Sequence, residues 1–192
     1  MRRSIIMLLL VALLLFCIPA VADTNLEPEK LPGGWIVDES WTYVGYIYGG
    51  VSFAIPVESY AYDASPYAQM GLLLLYSNDD YMLQLRVFEP ETYTYEAFRE
   101  RIMAEPTSVV RTREYEGTEI LIYLNSKPDA DSELVGVAME GIDGKLYKIS
   151  IFTGDSERFG ADAPVWKIAE VIAESAYVRD FSEWGINTEK QE

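Results

Sequence analysis

The chain has no histidine and a single cysteine, Cys17. These absences exclude a serine–histidine–aspartate triad, a cysteine–histidine pair, a histidine-bound zinc ion and a c-type haem. The glycine-rich loops that hold nucleotide phosphates are also missing, as is the Ser-x-x-Lys pattern of serine–lysine hydrolases. We therefore predict no catalytic residue, no cofactor and no metal site.

Positive charge is scarce as well. The chain has 15 basic and 31 acidic residues, which give a net charge of −16. A charge of this sign repels nucleic acid phosphates and anionic bilayers alike. We expect neither nucleic acid nor a membrane surface as a partner.

The N-terminus carries the longest apolar run of the chain. Arg2 and Arg3 precede fourteen apolar residues at 5–18, and a proline and a small-x-small triplet follow. This pattern predicts a secretory signal peptide over residues 1–22, cut before Asp23. The mature chain is then expected outside the cell or in the periplasm or cell envelope of a bacterium, reached by the general secretory route.

Two alternatives to cleavage compete with this interpretation. A membrane anchor needs about 20 apolar residues, more than this run offers. Lipidation at Cys17 needs a small preceding residue, and Phe16 is large. Cleavage removes Cys17 and two positive charges, so that the net charge of −16 becomes −18 and no disulfide can form within the mature chain.

The rest of the chain is long enough for one domain. Residues 23–34 are polar and rich in turn formers, which predicts a flexible lead. Residues 35–186 are expected to form a single domain, and residues 187–192 a disordered tail.

Alternating apolar residues separated by turn formers predict four hairpins. Their eight strands are expected at 43–48, 51–55, 72–76, 81–88, 109–114, 119–124, 134–139 and 145–152. Two segments change to helical spacing: one after the capping residue Thr94, with Tyr95, Phe98 and Ile102 on one face, and one after Asp162. The predicted fold class is α+β, an antiparallel sheet of about six to eight strands with two main helices packed on it.

This order of elements resembles the PsbP-like α/β/α sandwich. The resemblance depends on the 49–50 turn leading into residues 51–56, the strand at 81–88 leading into the Thr94 helix, and the closing helix after Asp162. It implies an exported accessory domain or a domain that binds other proteins, and generally not an enzyme. It carries over no functional residue.

An acidic stretch matches part of the spacing of a calcium-binding loop. Asp129, Asp131 and Glu133 are followed by Glu140 at the twelfth position. However, Leu134 stands where the sharp turn of such a loop requires glycine. We interpret the stretch as a solvated acidic turn that leads into a strand.

Aromatic residues are the remaining candidates for a binding site. Those at the start of the domain are favoured strand residues and are expected mainly in the core: Trp35, Trp41, Tyr43, Tyr46 and Tyr48. Residues 57–68 lack clear periodicity and are interpreted as a polar loop between two hairpins. Within this segment, Tyr60, Tyr62, Asp63 and Tyr67 are the predicted ligand-binding residues.

Two functions are compatible with these patterns. The first is a secreted non-catalytic binding or accessory domain that recognises a protein or a glycan. The second is a carboxylate-dependent hydrolase, which could use two acidic residues roughly 5–10 Å apart on an extracellular substrate. A shallow exposed aromatic patch would favour the first, and a deep pocket with two facing carboxylates would favour the second.

Overall fold

The computed structural model describes residues 29–30, 36–37, 39–79, 81–106, 108–125, 133–152 and 164–184. The predicted signal peptide, the C-terminal tail, Asp129, Asp131 and Asp162 lie outside these residues. Strand β1 (Glu29–Lys30), in the expected lead, pairs antiparallel with β2 (Ile36–Val37). No helix within the described ranges has both the length and the apolar character to cross a membrane.

The remaining elements follow in chain order. They are β3 (Trp41–Tyr46), β4 (Val51–Pro56), β5 (Tyr60–Tyr62), β6 (Leu72–Ser77), β7 (Met82–Phe88), α1 (Tyr95–Ala104), β8 (Ser108–Tyr115), β9 (Thr118–Asn125), β10 (Glu133–Glu140), β11 (Leu146–Phe152), α2 (Pro164–Ser175) and β12 (Tyr177–Val178). Among the described residues, seven strands form an antiparallel sheet in the order β5-β6-β7-β11-β10-β9-β8. A second antiparallel sheet has the order β12-β4-β3.

The α+β class, the four hairpins and the two helices are confirmed, with one difference in arrangement. The first hairpin belongs to the smaller sheet instead of extending the large one. Its connection is also longer than a two-residue turn, because Ile47–Gly49 form a 3-10 turn that Gly50 closes at φ 70. Every residue of β4 is buried, since this strand is packed on both of its faces.

One face of the large sheet is covered by α2 and the smaller sheet. Ile120 and Ile122 of β9 lie in this core with Phe53 of β4 and Ile172 of α2, all at most 1% exposed. A serine joins the two covering elements: the Ser175 hydroxyl accepts a hydrogen bond from the Ala54 amide at 2.8 Å. This bond satisfies a buried backbone donor of β4.

Buried charges lie where α2 ends. Arg113 of β8 donates to the carbonyl oxygens of Ala173 and Ala176. Glu174 forms an ion pair with Arg111 at 2.6 Å and lies 3.7 Å from Arg113. The cations therefore complement both the carboxylate and the negative end of the helix.

Among the described residues, α1 is the helix that packs on the opposite face of the large sheet. The Thr94 hydroxyl caps this helix by accepting the Ala97 amide at 3.2 Å, and the helix buries Phe98 against Leu121 and Tyr123 of β9. Ten residues of helix span about 15 Å with a diameter of about 10 Å, whereas seven strands at about 4.8 Å spacing span about 29 Å. One short helix cannot cover this width, and side chains of β5 and the start of β7 are exposed to solvent.

Candidate functional site

The segment at 57–68 has more regular structure than the sequence indicates. Tyr60 and Tyr62 lie on β5, an edge strand of the large sheet, and Tyr67 lies on a 3-10 helix at Ser65–Met70. The side chains of the three tyrosines are 70%, 55% and 47% exposed, respectively. The expectation of a loop is wrong here because a strand of three residues is too short to show a period.

Asp63 is engaged in the turn itself. Its carboxylate accepts the Ser65 amide at 2.9 Å, and hydrogen bonds from Ser65 hold the pKa of this carboxyl below its usual range. Asp63 and Tyr62 line a shallow groove of about 370 Å³ beside β6, whereas Tyr60 and Tyr67 do not line it. The four predicted residues therefore do not converge on one pocket.

Tyr60 and Tyr62 instead belong to a broader surface, which we call the open sheet face. The strand register places Tyr60 in one row with Ser77 and Met82, and Tyr62 in the next row with Leu75 and Gln84. The third row holds Arg86 of β7 directly opposite Lys148 of β11. The open sheet face is defined by Tyr60, Tyr62, Met82, Gln84, Arg86 and Lys148.

The charge of this face differs from that of the whole chain. The four strands that build it, β5, β6, β7 and β11, contain none of the 31 acidic residues. Arg86 and Lys148 are directly opposite each other in the strand register.

A third cation extends the row toward α1. The guanidinium of Arg101 lies 5.3 Å from the ring centre of Phe98, and the Lys148 ammonium lies 5.8 Å from the same ring. Arg86 donates to the amide oxygen of Gln84 at 3.0 Å. Within the described residues, neither arginine pairs with a carboxylate, and the charged side chains of β5, β6, β7 and β11 are all basic.

A larger cavity lies at the end of the sheet where β7 ends and β11 begins. We call this cavity of about 710 Å³ the tyrosine cleft. Its lining residues are Tyr46, Tyr48, Ala68, Gln69, Met70, Gly71, Leu73, Val87, Phe88, Glu89, Thr92, Asp143, Lys145 and Tyr147. The sequence prediction missed this cleft because its walls come from four separate segments, and it assigned Tyr46 and Tyr48 to the core.

Two glycines hold the inner wall of the tyrosine cleft. The Tyr147 ring is 1% exposed and lies against Gly49 and Gly141 near its Cε2 atom. A Cβ atom on Gly141 would lie 2.5 Å from Cε2 and 2.7 Å from the carbonyl oxygen of Gly49. The Ile142 amide donates to that same oxygen at 3.0 Å and so joins the two turns that form the wall.

The polar groups of the tyrosine cleft are paired. The Tyr147 hydroxyl donates to Asp143 at 2.9 Å, and Lys145 donates to Glu89 at 2.8 Å. Burial raises the pKa of Tyr147 above its ordinary value, and the bond to Asp143 raises it further. The pKa of Tyr46 is also raised, mainly by burial and then by Tyr48. Both phenols are therefore neutral hydrogen-bonding groups at neutral pH.

The described residues include no cluster of three or more acidic or cysteine side chains arranged to hold a metal ion. In the tyrosine cleft, both Asp143 and Glu89 are exposed, and both already accept hydrogen bonds.

The comparison with solved structures agrees with this architecture. The solution structure of cyanobacterial PsbP from Synechocystis matches it with a TM-score of 0.51 at 15% identity, over 76% of this chain and 96% of that chain. The fold is PsbP-like. The resemblance expected from the order of elements is thereby confirmed, and at this identity the PsbP-like match establishes the fold alone. No family model and no curated protein matches this sequence.

Proposed function

We propose that this chain is an exported, non-catalytic binding domain that docks an acidic surface of a partner protein on its open sheet face. The observation that carries the proposal is a tyrosine-bearing face whose strands contain basic but no acidic residues, on an otherwise acidic chain. Tyr60 and Tyr62 are more than half exposed, and Met82 is 37% exposed beside them. Tyrosine, methionine and arginine are the residues enriched in protein interfaces.

Charge complementarity favours an acidic partner. Arg86 and Arg101 would attract carboxylates of such a partner. Two exposed tyrosines on one edge strand supply rigid apolar area at a low cost in side-chain entropy. An exposed sheet face with these groups fits a surface of a folded protein.

Export and the lack of catalysis have separate support. The predicted signal peptide at 1–22 supports export, and a binding or accessory role is what the PsbP-like resemblance implies. The absence of histidine and of a cysteine in the mature chain removes two of the commonest catalytic side chains. The N-terminal sequence of the secreted protein tests export directly, and we expect it to begin at Asp23.

Site-specific photocrosslinking in the native host tests the docking face. A benzoylphenylalanine placed at Tyr62 or at Met82 should crosslink to the same partner protein. Val109 provides a matched control because it is 59% exposed on β8, the opposite edge of the same sheet. Equal crosslinking from Val109, crosslinks only to a second copy of this chain, or no crosslink from either test position would contradict the proposal.

A charge reversal then separates binding from folding. Arg86→Glu reverses a charge on the open sheet face, and urea unfolding of the variant checks that it still folds. The same change should weaken binding of the purified partner by about tenfold, and added salt should weaken wild-type binding. Lys167→Glu, an equal charge change at an exposed position of α2, should leave binding unchanged. Equal losses in the two variants would count against the open sheet face.

A further inference from the structure

We infer that the tyrosine cleft is a second, independent site, which binds neutral sugar units of a glycan. Its volume of about 710 Å³ lies within the range of small-ligand sites. It combines aromatic rings with both hydrogen-bond donors and acceptors. This inference does not depend on the docking of a protein at the open sheet face.

The apolar part of the cleft suits the C–H face of a pyranose ring. Tyr46 and Tyr48 are half-buried, and their ring centres lie 5.4 Å apart with an interplanar angle of 63°. The side chain of Met70 is 58% exposed and lines the same cleft. Exposed aromatic rings and a pliable thioether can cover the apolar face of a sugar without a charge requirement.

The polar part suits hydroxyl groups. Each sugar hydroxyl both donates and accepts, and the cleft presents both kinds of partner. Glu89 and Asp143 accept, Lys145 donates, and the amide of Gln69 does both. An apolar ligand would remove water from these polar side chains without replacing its hydrogen bonds, and the lost hydrogen bonds would weaken binding.

The charged groups of the cleft distinguish a neutral sugar from a polyanion and from a quaternary ammonium ion. Glu89 and Asp143 oppose a polyanionic ligand, and Lys145 opposes a quaternary ammonium ion held between the tyrosine rings. The Lys145–Glu89 bond at 2.8 Å keeps both ionic groups in place, and the Tyr147 bond fixes Asp143. The three ionic groups sum to −1, which repels an anion, and the bonds that hold them in place leave a pre-formed set of hydrogen-bonding groups that suits a neutral polyhydroxyl ligand.

NMR titration of the ¹⁵N-labelled chain tests the inference. The probes are cellotetraose, maltotetraose and tetra-N-acetylchitotetraose, with tetragalacturonate and choline as probes of the other two classes. We expect at least one neutral tetrasaccharide to shift the amides of Tyr48, Gly71 and Lys145 at millimolar concentration. No shift with any of the three, or stronger shifts with tetragalacturonate or choline, would overturn the inference.

Substitutions then localise the site. Tyr48→Ala should weaken binding of the active tetrasaccharide by about tenfold, a usual effect of removing an aromatic anchor. Met70→Ala should weaken it less and, at an exposed position, should leave the fold intact. Tyr60→Ala, on the open sheet face, should bind the tetrasaccharide as the wild type does. If Tyr48→Ala does not fold, Met70→Ala decides, and unchanged binding in a folded cleft variant refutes the site.

Discussion

Gly141→Ala should destabilise the protein by crowding the inner wall of the tyrosine cleft. The added methyl group would lie 2.5 Å from Cε2 of Tyr147 and 2.7 Å from the oxygen of Gly49, where ordinary contacts are 3.4–4 Å. Relief would require the ring to move by about 1 Å. Tyr147 is 1% exposed and packs against the main core, so it has little room to retreat.

The expected cost follows from that packing. Overpacking a well-filled core costs about 1–3 kcal/mol, and a rigid aromatic ring beside a fixed carbonyl favours the upper end. We therefore expect the free energy of unfolding to fall by about 3 kcal/mol. Gly144→Ala is the matched control in the same turn. Its added methyl group would meet no atom within 4 Å, so that the positive φ of 72 is the only source of strain. Its cost should be about 1 kcal/mol from backbone strain.

Urea unfolding of a double-mutant cycle measures the two causes separately. Tyr147→Leu shortens the side chain that collides with the methyl group added by Gly141→Ala. The combination of these two substitutions should therefore cost at least 1 kcal/mol less than the two single costs together, a figure of the size usual for residues in contact. Tyr147→Leu combined with Gly144→Ala should be additive. A cost below about 1 kcal/mol for Gly141→Ala, or additivity in both cycles, would refute the crowding argument.

Three further outcomes can be measured by urea unfolding. Ser175→Ala should cost about 1–3 kcal/mol, because the buried amide of Ala54 loses its acceptor. Glu174→Ala should cost about 1–2 kcal/mol because Arg113, largely shielded from water, keeps its carbonyl acceptors but loses the nearby carboxylate; no measurable cost would contradict that role. Burial raises the pKa of Tyr81 from 10.0 to about 12, so the unfolded chain loses this proton first. The free energy of unfolding should therefore fall between pH 10 and 12, and Tyr81→Phe should reduce the slope.

The sequence was informative wherever a regular period ran long enough. Residues 82–88 alternate between Leu83 and Leu85, which face the main core, and Gln84 and Arg86, which face the other side. The α1 boundary was equally clear, because Thr94 caps the helix as expected. Hairpins and helix caps are local, and a local pattern is sufficient to place them.

The placement of the first hairpin depends on contacts that no local pattern contains. Strand β4 pairs with β3 and also with β12, which follows it by more than 120 residues. Its alternation is compatible with either sheet, and the choice is made by packing against α2. Register within a hairpin is local, whereas membership in a sheet is a tertiary property.

The candidate sites show the same difference between what local sequence patterns predict and what depends on tertiary contacts. Composition alone predicts Tyr60 and Tyr62 as binding residues, and the structure places both on an exposed edge strand. Composition does not predict their neighbours Met82 and Arg86, because only the pairing of β5, β6 and β7 brings them onto one face. The tyrosine cleft was missed for the same reason, since Tyr48 and Lys145 are distant in sequence.

Strand β7 connects the two proposed sites and also keeps them apart. Met82 begins the strand on the open sheet face, and Phe88 ends it in the wall of the tyrosine cleft. Six residue steps separate them by about 20 Å, beyond the range in which substitutions usually couple. A substitution at Tyr60 or Met82 should therefore spare sugar binding, and one at Tyr48 should spare the partner protein. Arg86 lies only two residues from Phe88, so its charge reversal must be measured at both sites before its effect is assigned to either.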